Sequence, residues 1–312
     1  MLFFGTQDWA AEVLRQMAED RFFEITHVIT QPDQPTGRKQ LLTPSPVKQI
    51  ALAAGLSVLQ PTDLKDPSFL RQIKESDAEL AIIIAYGRIL PEELISITPR
   101  GFINVHPSLL PKWRGPSPIQ AAIAAGDEKT GISIMLIDTK MDHGPLLAQM
   151  EFPLSEDATF INTMKFVEQT APSFLIKTVK EFVENKLAPQ TQNHAEATYC
   201  KLLKREDGRI DWNRSAIEIE RMVRAYEPWP SAWTTATHED RTMRFKLLEV
   251  KAHPDRDSLP PGTLLRSDDT LFVGTGAGLL QVLSIQPEGK KVLSAQDFLC
   301  GYEMLLGKRF DG

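Results

Sequence analysis

The chain is poor in cysteine and has no long apolar run. Two cysteines, Cys200 and Cys300, in 312 residues cannot build a disulfide framework. Neither belongs to a paired C-x-x-C or sits near a histidine cluster, so there is no zinc ribbon either. No apolar run approaches the roughly 20 residues that span a bilayer, and the start MLFFGTQDWA lacks a signal-peptide layout. A soluble cytoplasmic protein is the expectation. G-x-G-x-x-G and G-x-x-x-x-G-K-[ST] are missing, which leaves a nicotinamide or nucleoside-triphosphate cofactor without support. H-E-x-x-H and G-x-S-x-G are missing as well. Positive charge is also in deficit. The formal net charge of −6 argues against a protein coated in basic charge for nucleic acid or membrane. The deficit is uneven: 18 Lys and Arg face 24 Asp and Glu up to Cys200, whereas 17 face 17 from Lys201 onward. The last third is therefore neutral and free to present a local basic face.

What is present suits two domains, with 42% apolar residues available for their cores. The first 180 or so residues alternate short apolar runs with helical patterns. Leu2-Phe3-Phe4 reads as a strand leading into a helix from Trp9 to Met17, and Ile25 to Thr30 as a β-branched strand. Val47 to Ala54 and Pro67 to Lys74 read as helices, with a short strand at Val58-Leu59 between them. Leu80 to Ala85 is apolar almost throughout, as expected of a strand buried on both faces of a parallel sheet. Gly101 to His106 and Ile132 to Asp138 read as further strands, separated by a helix from Ile119 to Ala125. Phe160 to Val183 has the spacing of one or two helices. This order predicts an open α/β domain.

Two stretches break the pattern. Gln31 to Pro46 holds four prolines and a glycine, too many for a helix or a central strand. A loop of that length inside a domain is usually functional or mobile. Asn185 to Thr198 reads as a linker. After it come a helix from Ala216 to Ala225 and strands at Met243 to Val250, Gly262 to Leu265, Thr270 to Val273 and Leu279 to Ile285, which predict a small β-barrel.

The chemistry points to residues 104–147. Asn104 and His106 lie two apart at the end of an apolar strand, so their side chains share a side. Ligands of open α/β sheets bind beyond the carboxyl ends of the strands. Pro107 to Gly115 is too proline-rich to continue the strand and must form a loop there. If the strand ending near Asp138 is a neighbour, Asp142 can approach His106. An amide, an imidazole and a carboxylate together suit acyl transfer to an amine. Asn can donate to the oxyanion, His can carry protons, and a carboxylate beside His favours the charged ring and fixes its orientation. Each residue alone could equally be a turn or capping residue.

Asn104-Val105-His106-Pro107-Ser108-Leu109-Leu110-Pro111-Lys112-Trp113-Arg114-Gly115 resembles the N-x-H-x-S-L-L-P-x-x-R-G signature of the methionyl-tRNA formyltransferase family. Ala124-Ala125-Gly126-Asp127, Thr130-Gly131 and Met141-Asp142-x-Gly144 continue it in order and spacing. Phe4-Gly5-Thr6, Thr30-Gln31-Pro32-Asp33 and Pro44-Ser45-Pro46-Val47-Lys48 resemble the family's first strand and long loop. Arg209-Ile210-Asp211-Trp212, Arg224 to Pro230 and Gln286 to Lys291 resemble its C-terminal domain.

The resemblance implies an open, mostly parallel Rossmann-like sheet of the formyltransferase type, then a small OB-like β-barrel. The implied boundaries are 1–185 for a catalytic domain, 186–204 for a linker and 205–312 for a tRNA-binding barrel. It implies formyl transfer from 10-formyltetrahydrofolate to the α-amino group of methionyl initiator tRNA in translation initiation, by a monomer that needs no metal. Carried over, Asn104, His106 and Asp142 are the catalytic trio. Ser108, Leu109, Leu110 and Pro111 line the folate pocket, with Tyr86 and Gly87 nearby. Arg38 and Lys39 of the long loop, with Lys290 and Lys291, contact tRNA; Lys201, Lys204, Arg205 and Arg209 are further candidates for the basic face. Pro107 and His143-Gly144-Pro145 depart from the family pattern. Formyl transfer to a sugar or nucleotide amine, formate release from folate, and RNA binding by a degenerate enzyme domain are the rival readings.

Overall fold

A computed structural model describes residues 1–36, 40–257 and 259–311. The N-terminal elements are β1 (Leu2–Gly5), α1 (Asp8–Glu19), β2 (His27–Ile29), β3 (Gln34–Thr36), β4 (Leu41–Thr43), α2 (Pro46–Ala53), β5 (Val58–Leu59), α3 (Pro67–Glu75), β6 (Ala81–Ile84), α4 (Glu92–Ile95) and β7 (Phe102–His106). They continue with α5 (Pro118–Ala125), β8 (Lys129–Leu136), β9 (Leu146–Pro153) and α6 (Phe160–Val183). The starts of α2 and α3 follow from local chemistry. Ser45 and Asp66 accept from backbone N–H groups of the first turn, and each precedes a proline whose missing N–H costs nothing there.

The chain divides into two units, the first made of Met1–Gly115, Gly131–Phe152 and Lys165–Tyr199. Its sheet has the strand order β5-β2-β1-β6-β7-β8-β9. The first five strands are parallel and β8 runs antiparallel to β7. Both faces of β1 and β6 are buried, which is why those runs carry no polar residue. Alternate residues Leu2, Phe4, Ala81, Ile83 and Phe102 share one core cluster with Phe69, Ile73 and Leu94 from α3 and α4.

The second unit comprises Pro116–Thr130, Pro153–Met164 and Cys200–Gly312. It contains α7 (Ala216–Tyr226), β10 (Ala232–His238), β11 (Arg241–His253), β12 (Leu264–Ser267), β13 (Thr270–Gly274), β14 (Leu279–Pro287), β15 (Leu293–Ser294) and α8 (Ala295–Gly301). The strands form an antiparallel sheet in the order β10-β11-β14-β13-β12, with β15 on β14. A register shift in β11 between Leu247 and Val250 is the bulge that lets a long strand bend. The C-terminal segment bridges Arg309 to Thr263 and Asp311 to Thr235, so it bonds both β10 and the entry to β12. That closes the curled sheet into the expected small barrel. Its core gathers Trp212, Ile219, Phe245, Val282, Phe298 and Phe310.

Three expectations need correction. The proline-rich stretch is not irregular throughout: β3 and β4 pair as an antiparallel ribbon, with Pro35 opposite Leu42. A two-stranded ribbon has only edges, so a proline there forfeits no central ladder bond. Strands β9 and β10 were not anticipated, and β11 extends beyond Met243 to Val250 at both ends. The expected linker, residues 186–204, is more than a tether, because the backbone of Gln190 pairs with Leu146 and that of Tyr199 with Arg114. Phe160 to Val183 is one helix, continuous through Pro172.

Candidate active site

Strand β7 positions the first two residues. Asn104 pairs with Ile83 on one side and Met135 on the other, and His106 lies opposite Ser133. Asn104 is half-buried, and among the described residues its carboxamide makes no hydrogen bond. A half-buried amide in that state retains its full donor capacity for a ligand.

His106 is 4% exposed. Its Nε2 lies 2.9 Å from the Trp113 carbonyl and its Nδ1 3.7 Å from Oδ2 of Asp142. Both ring nitrogens thus face acceptors, so the ring can donate on both sides. The second separation is longer than a hydrogen bond, as is common for catalytic contacts without substrate. Asp142 arrives by an indirect route. Because β8 is antiparallel to β7, it ends at Leu136 opposite Ile103, away from His106. The following loop must return along the strand, and Asp142 adopts a left-handed φ of 48° within it. The same Oδ2 accepts from the Gly115 N–H at 2.7 Å, which anchors the carboxylate to the proline-rich loop.

That loop is held from beneath. Ser108 is fully buried, and its hydroxyl donates to the Lys112 carbonyl at 2.6 Å. Ser133 donates to the Ser108 carbonyl and accepts from the Leu110 N–H, while Gln149 donates to the Leu110 carbonyl and to Ser133. Leu110 is 3% exposed and precedes a cis peptide to Pro111, whereas Leu109 and Pro111 are half-buried. The side chains of Ser108 and Leu110 therefore face inward, and their backbone groups are taken up within the loop's own hydrogen bonds. Tyr86 is likewise buried, which pushes its phenol above the ordinary range. Its carbonyl accepts from Gln31 at 2.6 Å and from Thr6 at 3.2 Å. Gly87 follows at φ 80°, where an added Cβ would lie 2.7 Å from the Gln31 amide nitrogen.

Sequence reasoning missed the support behind Asp142. Gln192, 4% exposed, donates to the carbonyls of Asp142 at 3.0 Å and Gly144 at 2.7 Å. Its own oxygen accepts from Nε and Nη2 of Arg114, which is 1% exposed and also meets His194. His194 stacks on His143 with ring centroids 3.9 Å apart, and His143 pairs with Asp138 at 2.6 Å. Desolvation, reinforced by the neighbouring His143, Arg114 and Lys140, holds the His194 ring below the usual histidine range. Nothing in the composition of residues 185–198 marks Gln192. A buried arginine in the motif was the available signal, since such a charge requires an acceptor.

Of the expected cations, Arg38 and Lys39 lie outside the described residues. Lys290 and Lys291 are exposed, with Lys290 3.2 Å from the Tyr302 hydroxyl. Arg205 and Arg244 share Glu288, and the guanidinium groups of Arg209 and Arg244 lie over the Trp233 ring. Lys201 pairs with Asp207, and the exposed Lys204 donates its backbone N–H to the same carboxylate. Among the described residues, no helix is long and apolar enough to cross a membrane.

A strand-end amide and imidazole, a carboxylate returned to them by a loop, and a separate antiparallel barrel define a two-domain formyl transferase. The formyl transferase family matches residues 1–179, and its C-terminal domain matches residues 202–303. The methionyl-tRNA formyltransferase of Roseiflexus castenholzii (strain DSM 13941 / HLO8) is 41% identical over 313 residues, spanning 100% of this chain and 99% of that protein. That of Marinobacter nauticus (strain ATCC 700491 / DSM 11845 / VT8) is 38% identical over 307 residues, spanning 98% and 97%. The chain belongs to the methionyl-tRNA formyltransferase family. The fold is shared more widely. An N-formyltransferase from Helicobacter canadensis, solved with folinic acid and dTDP-3-aminofucose, superposes with a TM-score of 0.66 at 15% identity, over 90% of this chain and 97% of that one. HypX from Aquifex aeolicus, solved with tetrahydrofolic acid, gives 0.60 at 17% identity, over 99% of this chain and 48% of that one.

Proposed function

We propose that this protein transfers a formyl group from 10-formyltetrahydrofolate to the α-amino group of methionyl initiator tRNA. The observation that carries the chemistry is the approach of the Asp142 carboxylate to within 3.7 Å of His106, on whose strand the Asn104 amide has no partner among the described residues. The folate supplies an activated formyl group. Asn104 donates an N–H to the formyl oxygen as the amine attacks and charge develops there. With Nε2 held on the Trp113 carbonyl, His106 uses Nδ1 to take the surplus proton from the attacking nitrogen and return it to the folate nitrogen, so that the new amide C–N bond forms as the folate C–N bond breaks. Asp142 keeps the ring oriented and balances its charge.

The fit to folate rests on the partly exposed residues of the loop. The 108–111 segment and the Tyr86–Gly87 turn would hold it, with Leu109 and Pro111 offering partly exposed apolar surface. For tRNA, Arg38 and Lys39 would serve the acceptor end, and Lys290 and Lys291 would extend the cations around Trp233. Residues 1–185 would form the catalytic domain and 205–312 the tRNA-binding barrel, joined through 186–204. The enzyme would work in the cytoplasm, as a monomer, without a metal.

The test supplies 10-formyltetrahydrofolate with methionylated initiator tRNA, with free amine acceptors, or with buffer alone. Formylation of the tRNA alone is expected; transfer only to free amines, or formate release only, would replace this reading. Asn104→Ala should lower kcat by about 10²-fold or more. Near-normal turnover would remove Asn104 from the oxyanion role.

A further inference from the structure

We infer that Gln192 is a positioning residue for the reaction, acting through Asp142 from a segment outside the signature motifs. The inference rests on the reading of Asn104, His106 and Asp142 as the reacting centre. Three observations carry it. The amide cannot be turned round, because its oxygen accepts from Nε and Nη2 of Arg114, at 3.2 and 2.7 Å. Its nitrogen therefore points the other way, and both its hydrogens are used, on the carbonyls of Asp142 and Gly144. The first of those carbonyls belongs to Asp142 itself, which sits at a left-handed φ of 48°, and the second lies two residues further on, so the amide clamps the turn that carries the carboxylate.

The segment bearing Gln192 is itself fastened at both ends. The Gln190 backbone exchanges hydrogen bonds with Leu146 at 2.7 and 2.8 Å. Thr198 takes the Arg114 N–H on its carbonyl and the Trp113 N–H on its hydroxyl, each at 2.9 Å. Trp113 is the residue whose carbonyl meets His106, so the strap holds the partners on both sides of the imidazole. Gln192 thereby holds the backbone of Asp142, and Thr198 holds the backbone of the residue whose carbonyl meets Nε2 of His106. Holding a carboxylate within a fraction of an ångström is what such a shell contributes to rate.

Two variants separate aiming from folding. Gln192→Ala removes every contact and leaves Arg114 short of an acceptor. Gln192→Glu keeps an acceptor for Arg114 but sets an oxygen against two carbonyl oxygens. Both should lower kcat by about 10- to 100-fold while KM for folate and for tRNA stays within about threefold. In an Asp142→Asn background, Gln192→Ala should lower kcat by less than about twofold further, since its route to the reaction is already cut. Full additivity in that cycle, or a kcat within threefold of wild type, would overturn the inference. So would loss of the folded state, by circular dichroism, in both variants, because the residue would then serve the fold and not the aim of Asp142. Wild-type protein without tRNA formylation would instead refute the functional reading, and is run alongside.

Discussion

Gly144→Ala tests how tightly the loop that carries Asp142 is placed. An added Cβ at Gly144 would stand 1.9 Å from the Leu136 carbonyl oxygen, 2.9 Å from its carbon and 3.3 Å from the Asp138 nitrogen. All three are backbone atoms, so no rotamer change relieves the overlap. Reaching an ordinary carbon–oxygen separation of roughly 3.3 Å requires the chain to withdraw by more than about 1 Å. Leu136 is held in the sheet and by the Pro145 carbonyl at 2.9 Å, so the loop must move instead. Asp142 lies two residues away, and its carboxylate would leave the Gly115 N–H, the His106 ring, or both. A displacement of that size costs on the order of 10²-fold in rate, and the strain itself costs about 1–3 kcal/mol of stability. The assay is steady-state formylation of methionylated tRNA, with urea denaturation in parallel. The expected pattern is a large fall in kcat with a modest loss of stability. A folded variant with kcat within threefold of wild type would refute the claim that this loop's placement controls turnover.

Acidification should weaken the protein through His194 before carboxylates titrate. The folded ring takes up a proton less readily than the unfolded chain, whose histidines titrate near 6.5. Its contribution is therefore present above about pH 6.5 and is lost as the pH falls through the lower folded value. His27, lowered by burial and by the N-terminal charge, acts in the same direction. Denaturation midpoints at pH 7.5 and 5.5 should differ less in His194→Gln than in wild type, and an identical difference would reject the assignment. Ser215→Ala should cost about 1 kcal/mol in urea denaturation and leave kcat unchanged. Ser215 and Glu218 cap α7 reciprocally, and those hydrogen bonds hold the Glu218 carboxyl down to about 2. An unchanged midpoint would show that the box contributes nothing.

The elements legible in the sequence are those whose burial leaves a one-dimensional trace. Strands β1 and β6 are buried on both faces, so their residues run apolar without interruption. Helices α2 and α3 announce themselves by a capping residue followed by proline. Strand β9 alternates buried and exposed positions through Gln149 and Glu151, and β10 is rich in threonine, so neither stands out from a loop. The signature motif brought Asn104, His106 and Asp142 into one frame, but not the path between them. An antiparallel β8 sends the chain away from His106, and the return depends on contacts made by residues 50 positions later.

That distance is the physical reason Gln192 stayed hidden. A strand or helix repeats its environment every two or three to four residues, and the repeat can be read. A strap crossing a loop buries one side chain and leaves its neighbours in water: Thr191 and Asn193 are exposed on either side of a buried Gln192. Polar residues that sit in such a strap look like any solvated connection, because the partner that makes them structural is elsewhere. The partner was nonetheless conspicuous. Arg114 is among the largest fully buried side chains, and its charge cannot remain in the interior unpaired. A buried cation supplied by one motif therefore demands an acceptor from some other part of the chain. In this fold Gln192 joins His194 in meeting that demand and spends its nitrogen on the carbonyls of Asp142 and Gly144. The charge that secures the strap and the geometry that aims the carboxylate are one hydrogen-bond network, so a change at either end should be felt at the other.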